Sequence, residues 1–350
     1  MQLDRAAHYA VIGLFFILAG WVVSRSPAIV NPILLAILLN YLFSPLVRRL
    51  RRRRVPGAVS ATLFLVLLFT GVGAATVALA RPAAAWIERI PESRDRLREL
   101  TREIQKRVRP VMEAATEVQE AAREMEGPRR RAQEVKVAEA TLVKRIADHA
   151  TTILGGAVMT FFLALLLLAP GDVFQQKLLK LFPAARTREQ LQLMSDQVEQ
   201  QVSRYLGSVV LINAGVGAVT GLAMWLTGLP NPALWGVVAG VLNFVPYLGA
   251  VATVAIIGLA SLLTFDDLAR AAVPPLVFLG LNLLEGNVVT PKLVERWLKL
   301  NAVASFLAVI ILWALLGIPG ALMAVPILVV VKVVCDHVES LKGIGTFLGA

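Results

Sequence analysis

Charge is scarce in this chain. Only 17% of its 350 residues are Asp, Glu, Lys or Arg, where soluble chains carry about 25%. Cysteine is rarer still: Cys335 stands alone, so no disulfide can form within the chain, and its apolar surroundings read as a small core residue. The three histidines, His8, His149 and His337, lie too far apart to share a metal in the spacings such sites use. No phosphate-binding loop of the Walker type, no dinucleotide-binding glycine fingerprint and no zinc-protease motif occurs. Together these absences exclude nucleotide-driven transport by this chain alone. They leave no cofactor to expect and no serine–histidine or metal constellation for a hydrolase.

What fills the space is apolar. Hydrophobic residues make up 57% of the chain, and the mean hydropathy is +0.69. A soluble domain of this balance lacks the polar surface to cover itself. The apolar residues also fall in runs near the roughly 20 residues a helix needs to cross a hydrocarbon core. The net charge of +11 might suggest a nucleic-acid partner. The cations, however, sit beside apolar runs, where they orient membrane proteins, and no basic face is interleaved with aromatics as nucleic-acid binding requires.

The pattern predicts an all-α polytopic membrane protein. Six full transmembrane helices are expected, with two broken helical hairpins in inverted orientation and an extracytoplasmic charged helical excursion. The first helix spans about His8 to Val23; its weakly charged leading segment argues against a signal peptide. The second runs from about Ala28 to Leu46. Arg48, Arg49, Arg51, Arg52, Arg53 and Arg54 follow in a short loop and set the topology, because such clusters stay cytoplasmic. Both termini are therefore expected inside, in a bacterial cytoplasmic membrane. A third helix, about Ala58 to Ala80, closes the 1–80 unit.

Residues 81–148 alternate charges of both signs, with Leu97, Leu100, Ile104, Val108 and Val111 at helical spacing. A solvated helical pair is expected there. Helix four lies in 149–170, and 171–206 reads as amphipathic helices on the cytoplasmic interface, with Val198 and Tyr205 on an apolar stripe. The transport core is 207–338, followed by a cytoplasmic tail, 339–350. In that core, helix five starts at Gly207 and helix six covers about Ala271 to Val289. The pairs Gly217/Gly221 and Gly236/Gly240 fit close helix packing.

Two apolar segments are each cut near the middle. The first, about Pro232 to Leu263, is interrupted by Asn243, Phe244, Val245, Pro246, Tyr247, Leu248 and Gly249; the second, about Asn301 to Val334, by Gly317, Ile318, Pro319 and Gly320. Proline and glycine release backbone groups that lipid cannot satisfy, so such breaks need protein or a water-lined cavity around them. A helix and a broken hairpin occurring twice in opposite sense is the signature of an inverted-repeat secondary transporter. Four short spans with tight turns form the competing reading.

Polar residues inside this half are few: Asn213 in helix five, Asn243 and Tyr247 at the first break, and Asn282, Glu285 and Asn287 in helix six. A carboxylate in an apolar helix costs roughly 2.5–3.5 kcal/mol at mid-membrane and faces a cavity or a partner. Glu285 reads either as a proton- or cation-coupling carboxylate or as a boundary residue that pairs with Lys292 or caps a helix. Both readings stay open at this point.

Three blocks occur in order: the first break just given, then Glu285-Gly286-Asn287-Val288-Val289-Thr290-Pro291-Lys292, then Leu315-Leu316-Gly317-Ile318-Pro319-Gly320 with Ala324-Val325-Pro326 after it. In these the chain resembles the autoinducer-2 exporter family of bacterial membrane proteins over nearly its whole length. The resemblance implies a transporter energised by an ion gradient that exports small polar solutes and works as a homo-oligomer, a pentamer being one candidate. The breaks and the few polar residues around them give the candidate substrate or ion contacts: Asn213, Asn243, Pro246, Tyr247, Gly249, Asn282, Glu285, Asn287, Thr290, Gly317, Pro319 and Gly320. The expected partners are the lipid bilayer, the solute and the coupling ion, with no nucleic acid. A sodium/proton antiporter using Glu285, beside Asp266 and Asp267 at a membrane edge, and a non-transporting scaffold are the alternatives.

Overall fold

The computed structural model describes residues 20–92, 140–171, 185–245, 248–295 and 300–349, together with Leu14 and Leu18. Among these residues the chain is helical almost throughout, the one extended pairing being a bridge between Leu300 and Gly349. Residues 20–25, the end of the expected first helix, are helical. The helices are α1 (Pro27–Arg52), α2 (Gly57–Glu92), α3 (Ala140–Leu168), α4 (Ala185–Leu226), α5 (Pro232–Leu242), α6 (Leu248–Thr264), α7 (Leu268–Leu284), α8 (Ala302–Leu316), α9 (Ile318–His337) and α10 (Lys342–Leu348). Two π-helical turns, Glu285–Val289 and Pro291–Glu295, extend α7.

Burial runs opposite to that of a soluble protein. Val77 and Val251 are 77% and 70% exposed, while Ser60, Thr220, Thr253 and Ser261 have no exposed surface. Large aliphatics pointing outward are stable only where the surroundings are themselves apolar. Three of these hydroxyls turn back on the backbone, Ser60 donating to the Pro56 carbonyl, Thr253 to that of Gly249 and Ser261 to that of Ala271, while Thr220 Oγ1 has no partner among the described residues. Among the described residues five helices are long and apolar enough to cross a bilayer: α1, α2, α4, α7 with its π turns, and α9. The chain is a multi-pass membrane protein.

Two helical groups make up the molecule. In the first, α1, α2 and α3 close around Ala36, Val47, Ala61, Leu65, Ala164 and Leu168. Small residues bring the backbones together here; a side chain at Gly57 would meet the Ala169 carbonyl at 2.6 Å. In the second, α4 to α7 surround Met224, Trp235, Ile257 and Phe278, and Trp86 from the far end of α2 reaches in, edge-on to Trp235 at 5.1 Å. The second hairpin, α8 and α9, joins both groups. Val329 and Val333 of α9 meet Val198, Val202 and Leu206 of α4 and Leu38, Tyr41 and Leu42 of α1.

Several boundaries differ from the sequence reading. Arg48, Arg49, Arg51 and Arg52 form the last turns of α1 rather than a loop, as suits cations at a helix C-terminus; only Arg53 and Arg54 turn, with Arg54 at φ +65°. The amphipathic stretch after residue 185 is continuous with helix five, giving one 42-residue helix. Val198, Val202 and Leu206 of its apolar stripe pack against α1 and α9. The C-terminal tail folds back: Leu348 is buried with Ala304 and Leu328, and its carbonyl accepts from the Asn301 backbone N–H at 2.9 Å. The heptad residues from Leu97 to Val111 lie outside the described residues, as do 172–184.

Candidate functional site

The first break opens where α5 stops after 11 residues. Asn243 closes that helix, and its Nδ2 donates to Oδ1 of Asn213 on α4 at 2.9 Å. Asn213 is 4% exposed, and its own Nδ2 has no partner among the described residues. A buried donor left unmade costs about 1–3 kcal/mol.

The approach of α5 to α4 explains how the two amides meet. Gly217 and Gly221 of α4 lie against Gly236 and Gly240 of α5, so the expected small-residue pairs pack on each other. Side chains would not fit: a Cβ on Gly236 would sit 2.6 Å from the Gly217 carbonyl, and one on Gly240 would sit 2.9 Å from that of Asn213. Backbone contact of this kind is how helices associate in lipid. The seam leaves an outward groove of about 600 Å³, lined by Asn213, Gly217, Gly221, Gly236, Gly240 and Phe244 among others.

Beyond Asn243 the chain turns into α6, and Gly249 makes the turn possible. Any side chain there would collide with the Leu242 carbonyl at the end of α5. The second break has the same device. Gly320, in the first turn of α9, lies against the Leu312 carbonyl of α8 with no room for a Cβ. Gly317 links the two halves at φ +69°, ψ −147°, a conformation nearly reserved for glycine. Pro319 occupies the first turn of α9, where a missing N–H does no harm.

The two breaks come together. Val245, in the first, is buried with Val309, Ala321 and Ala324 of the second hairpin. Ala321 and Ala324 lie four and seven residues beyond Gly317, roughly 6 to 10 Å along the helix at 1.5 Å per residue. Pro246 and Tyr247 fall outside the described residues. A further asparagine, Asn31 of α1, serves the second break: its Nδ2 reaches the Leu316 carbonyl, left free at the end of α8, at 3.4 Å. Sequence reasoning passed over Asn31, although a polar residue between Val30 and Pro32 in an apolar helix was a usable signal.

Glu285 belongs to a separate cluster. It sits at the C-terminal end of α7, half-buried, and its Oε1 accepts a hydrogen bond from the Thr290 hydroxyl across the first π turn. No ion pair joins it to the exposed Lys292. Asn282 is half-buried one turn earlier, and Asn287 donates to the Leu283 carbonyl at 2.8 Å. The second π turn packs against α4. Asp267 is engaged as the N-cap of α7, accepting from the Arg270 N–H at 3.2 Å. Of the topology arginines, Arg48 grips Glu199 of α4 with both terminal nitrogens, while Ser44 donates to the same carboxylate.

The family model of AI-2E family transporters matches residues 11–340. The chain belongs to the AI-2E transporter family. Relatives of this family include the AI-2 transport protein TqsA of Escherichia coli K12, 26% identical over 355 residues, 96% of this chain and 93% of TqsA. YrrI of Bacillus subtilis is 34% identical over 140 residues, 40% of this chain and 39% of its own length. A Borreliella burgdorferi protein is 30% identical over 194 residues; the match spans about half of each, 55% of this chain and 53% of that protein.

Proposed function

We propose that this AI-2E family member exports a small polar solute across the bacterial cytoplasmic membrane, driven by the proton gradient, with its solute site at the paired asparagines beside the converging breaks. One observation supports this above the others: Asn213, buried in an apolar bundle, is bonded to the half-buried Asn243 at a helix break that is itself packed against the second broken hairpin. Interrupted helices at depth are where transporters hold their solutes, because half-helix ends offer free backbone groups and oriented dipoles there. Two re-entrant hairpins of opposite sense would then present their tips to one another.

Glu285 is the coupling carboxylate in this scheme. Ionised, it accepts from Thr290; protonated, it loses its charge, and the π turn can reseat against α4. The antiporter reading would need a second acid, and Asp267 already serves as a helix cap. A scaffold would give the two glycine-pinched breaks no purpose.

Flux in proteoliposomes of the purified protein tests the proposal. Gradient-dependent release of labelled autoinducer-2, with no sodium movement, is the expected result; sodium uptake alone would replace export with antiport. The Glu285→Gln variant is expected to keep solute binding and to lose dependence of flux on the pH gradient. Normal gradient-driven flux in that variant would remove Glu285 from the coupling step.

A further inference from the structure

The arginines that end α1 outnumber the acids that meet them. Arg48 is paired with Glu199. Arg49, Arg51, Arg52, Arg53 and Arg54 are exposed, and none of these five has a carboxylate partner among the described residues. Five like charges within six positions repel one another unless anions gather around them. A topology signal asks only for cations near the end of a span. It does not ask how each guanidinium is held, and here the backbone holds them in particular ways.

Helix α1 closes with two reversed hydrogen bonds, Val55 N–H to the Leu50 carbonyl at 3.2 Å and Arg54 N–H to that of Arg51 at 3.0 Å. This closure puts Arg54 at φ +65°, a helix-ending position that glycine usually fills. A cation is kept there against the backbone's preference. Arg51 is seated by two glycines instead. A Cβ on Gly171 would lie 2.5 Å from its guanidinium nitrogen, and one on Gly57 would lie 3.9 Å from its guanidinium carbon. The side chain therefore passes where the turn after α3 and the start of α2 carry none of their own.

Depth identifies what surrounds the cluster. From Pro27 to Val47, α1 carries no charge, a length of roughly 31 Å that matches a hydrocarbon core of about 30 Å. The arginines begin where that core ends, at the level of the lipid phosphates. Starting from the same end, α2 presents Val59, Leu63 and Leu67 at four-residue spacing, 57%, 57% and 68% exposed, on one face of the helix.

We propose that this arginine turn binds an anionic phospholipid, its phosphate held by the guanidinium forks and an acyl chain lying on the α2 stripe. A phosphate accepts two parallel N–H bonds from one guanidinium, a match that an ammonium lacks. A zwitterionic lipid brings its own cation and leaves the excess charge uncompensated. A second copy of the chain would bring the same arginines, and like charge opposes it here. The surface belongs to the α1–α3 group, apart from the paired asparagines, and is independent of the transport reading.

The test uses the full-length protein in a neutral detergent, with bound molecules counted by native mass spectrometry. It is titrated with dioleoyl phosphatidylglycerol, dioleoyl phosphatidylcholine or glycerol phosphate. Phosphatidylglycerol is expected to bind about 25-fold more tightly than phosphatidylcholine, two arginines contributing about fivefold each. Arg54→Gly relaxes the turn at φ +65°, so it folds at least as well, and should weaken phosphatidylglycerol about fivefold. The combined variant Arg52→Gln, Arg53→Gln, Arg54→Gly should bring it to the phosphatidylcholine level, with Arg48, Arg49 and Arg51 left to hold the topology. Lys292→Gln with Lys342→Gln removes exposed cations on other elements and should change nothing. Equal affinity for the two lipids would overturn the proposal, as would unchanged binding in both arginine variants. An equal loss in the lysine variant would also overturn it, because binding would then follow overall charge. So would displacement of phosphatidylglycerol by glycerol phosphate at the lipid's own concentration, since the cluster would then be a site for free phosphates.

Discussion

The two broken hairpins solve one problem in different ways. In the first, α5 and α6 are separated by residues 243–247, and polarity comes from a neighbouring helix through Asn213. In the second, α8 and α9 are separated by Gly317 alone, and the carbonyl freed at Leu316 is met by Asn31 of α1. Both turns depend on a glycine pressed against a carbonyl of the preceding half, Gly249 on Leu242 and Gly320 on Leu312. The difference lies in what remains unsatisfied. The wide break leaves a donor without a partner among the described residues, Asn213 Nδ2, whereas the narrow one leaves an acceptor, the Oδ1 of the Asn31 whose Nδ2 serves its carbonyl. The groove between α4 and α5 reaches Phe244 of the wide break, and no residue of the narrow one lines it.

The comparison can be broken most severely at the shared glycines. Gly249→Val and Gly320→Val each force a branched side chain into a backbone carbonyl, and a loss of about 3–5 kcal/mol is expected. Reduced thermal stability in detergent, read by size-exclusion after heating, checks both; a hairpin that tolerated its valine would not be pinched as described. Next comes Gly317→Ala, which places a Cβ at φ +69° and should cost about 1–3 kcal/mol. No such position was found among the described residues of the first break, where the positive-φ residues do not include 243–245, so Asn243→Ala should cost less through the backbone. The smallest effect is expected from Asn31→Leu. It removes one long hydrogen bond to Leu316, worth about 1 kcal/mol, and should lower the unfolding temperature slightly with little change in solute affinity.

Much of this organisation was legible before any coordinates. Asparagine, proline and glycine in apolar surroundings marked both breaks, since these residues act through the local backbone and declare themselves in the chain. Gly217, Gly221, Gly236 and Gly240 likewise announced their packing by spacing. Hidden were the long-range pairings. Nothing in the run around Glu199 tells that its carboxylate meets Arg48 and Ser44 across 151 and 155 positions. The merger of the amphipathic stretch into α4 was missed for a related reason: a stripe such as Val198 and Val202 fits lipid and protein equally well, and only the presence of α1 and α9 decides. Glu285 was recognised as unusual, but its bond to Thr290 depends on a π turn, which leaves no periodicity to read.

The paired asparagines carry the account, and the most direct measurement on them is pH-gradient-driven release of labelled solute from proteoliposomes, comparing the unaltered chain with Asn213→Leu at equal amounts of folded protein. The account predicts a fall of about tenfold or more in flux at low solute, the loss of one essential hydrogen bond. Flux unchanged within error would contradict it and would move the solute site away from the first break.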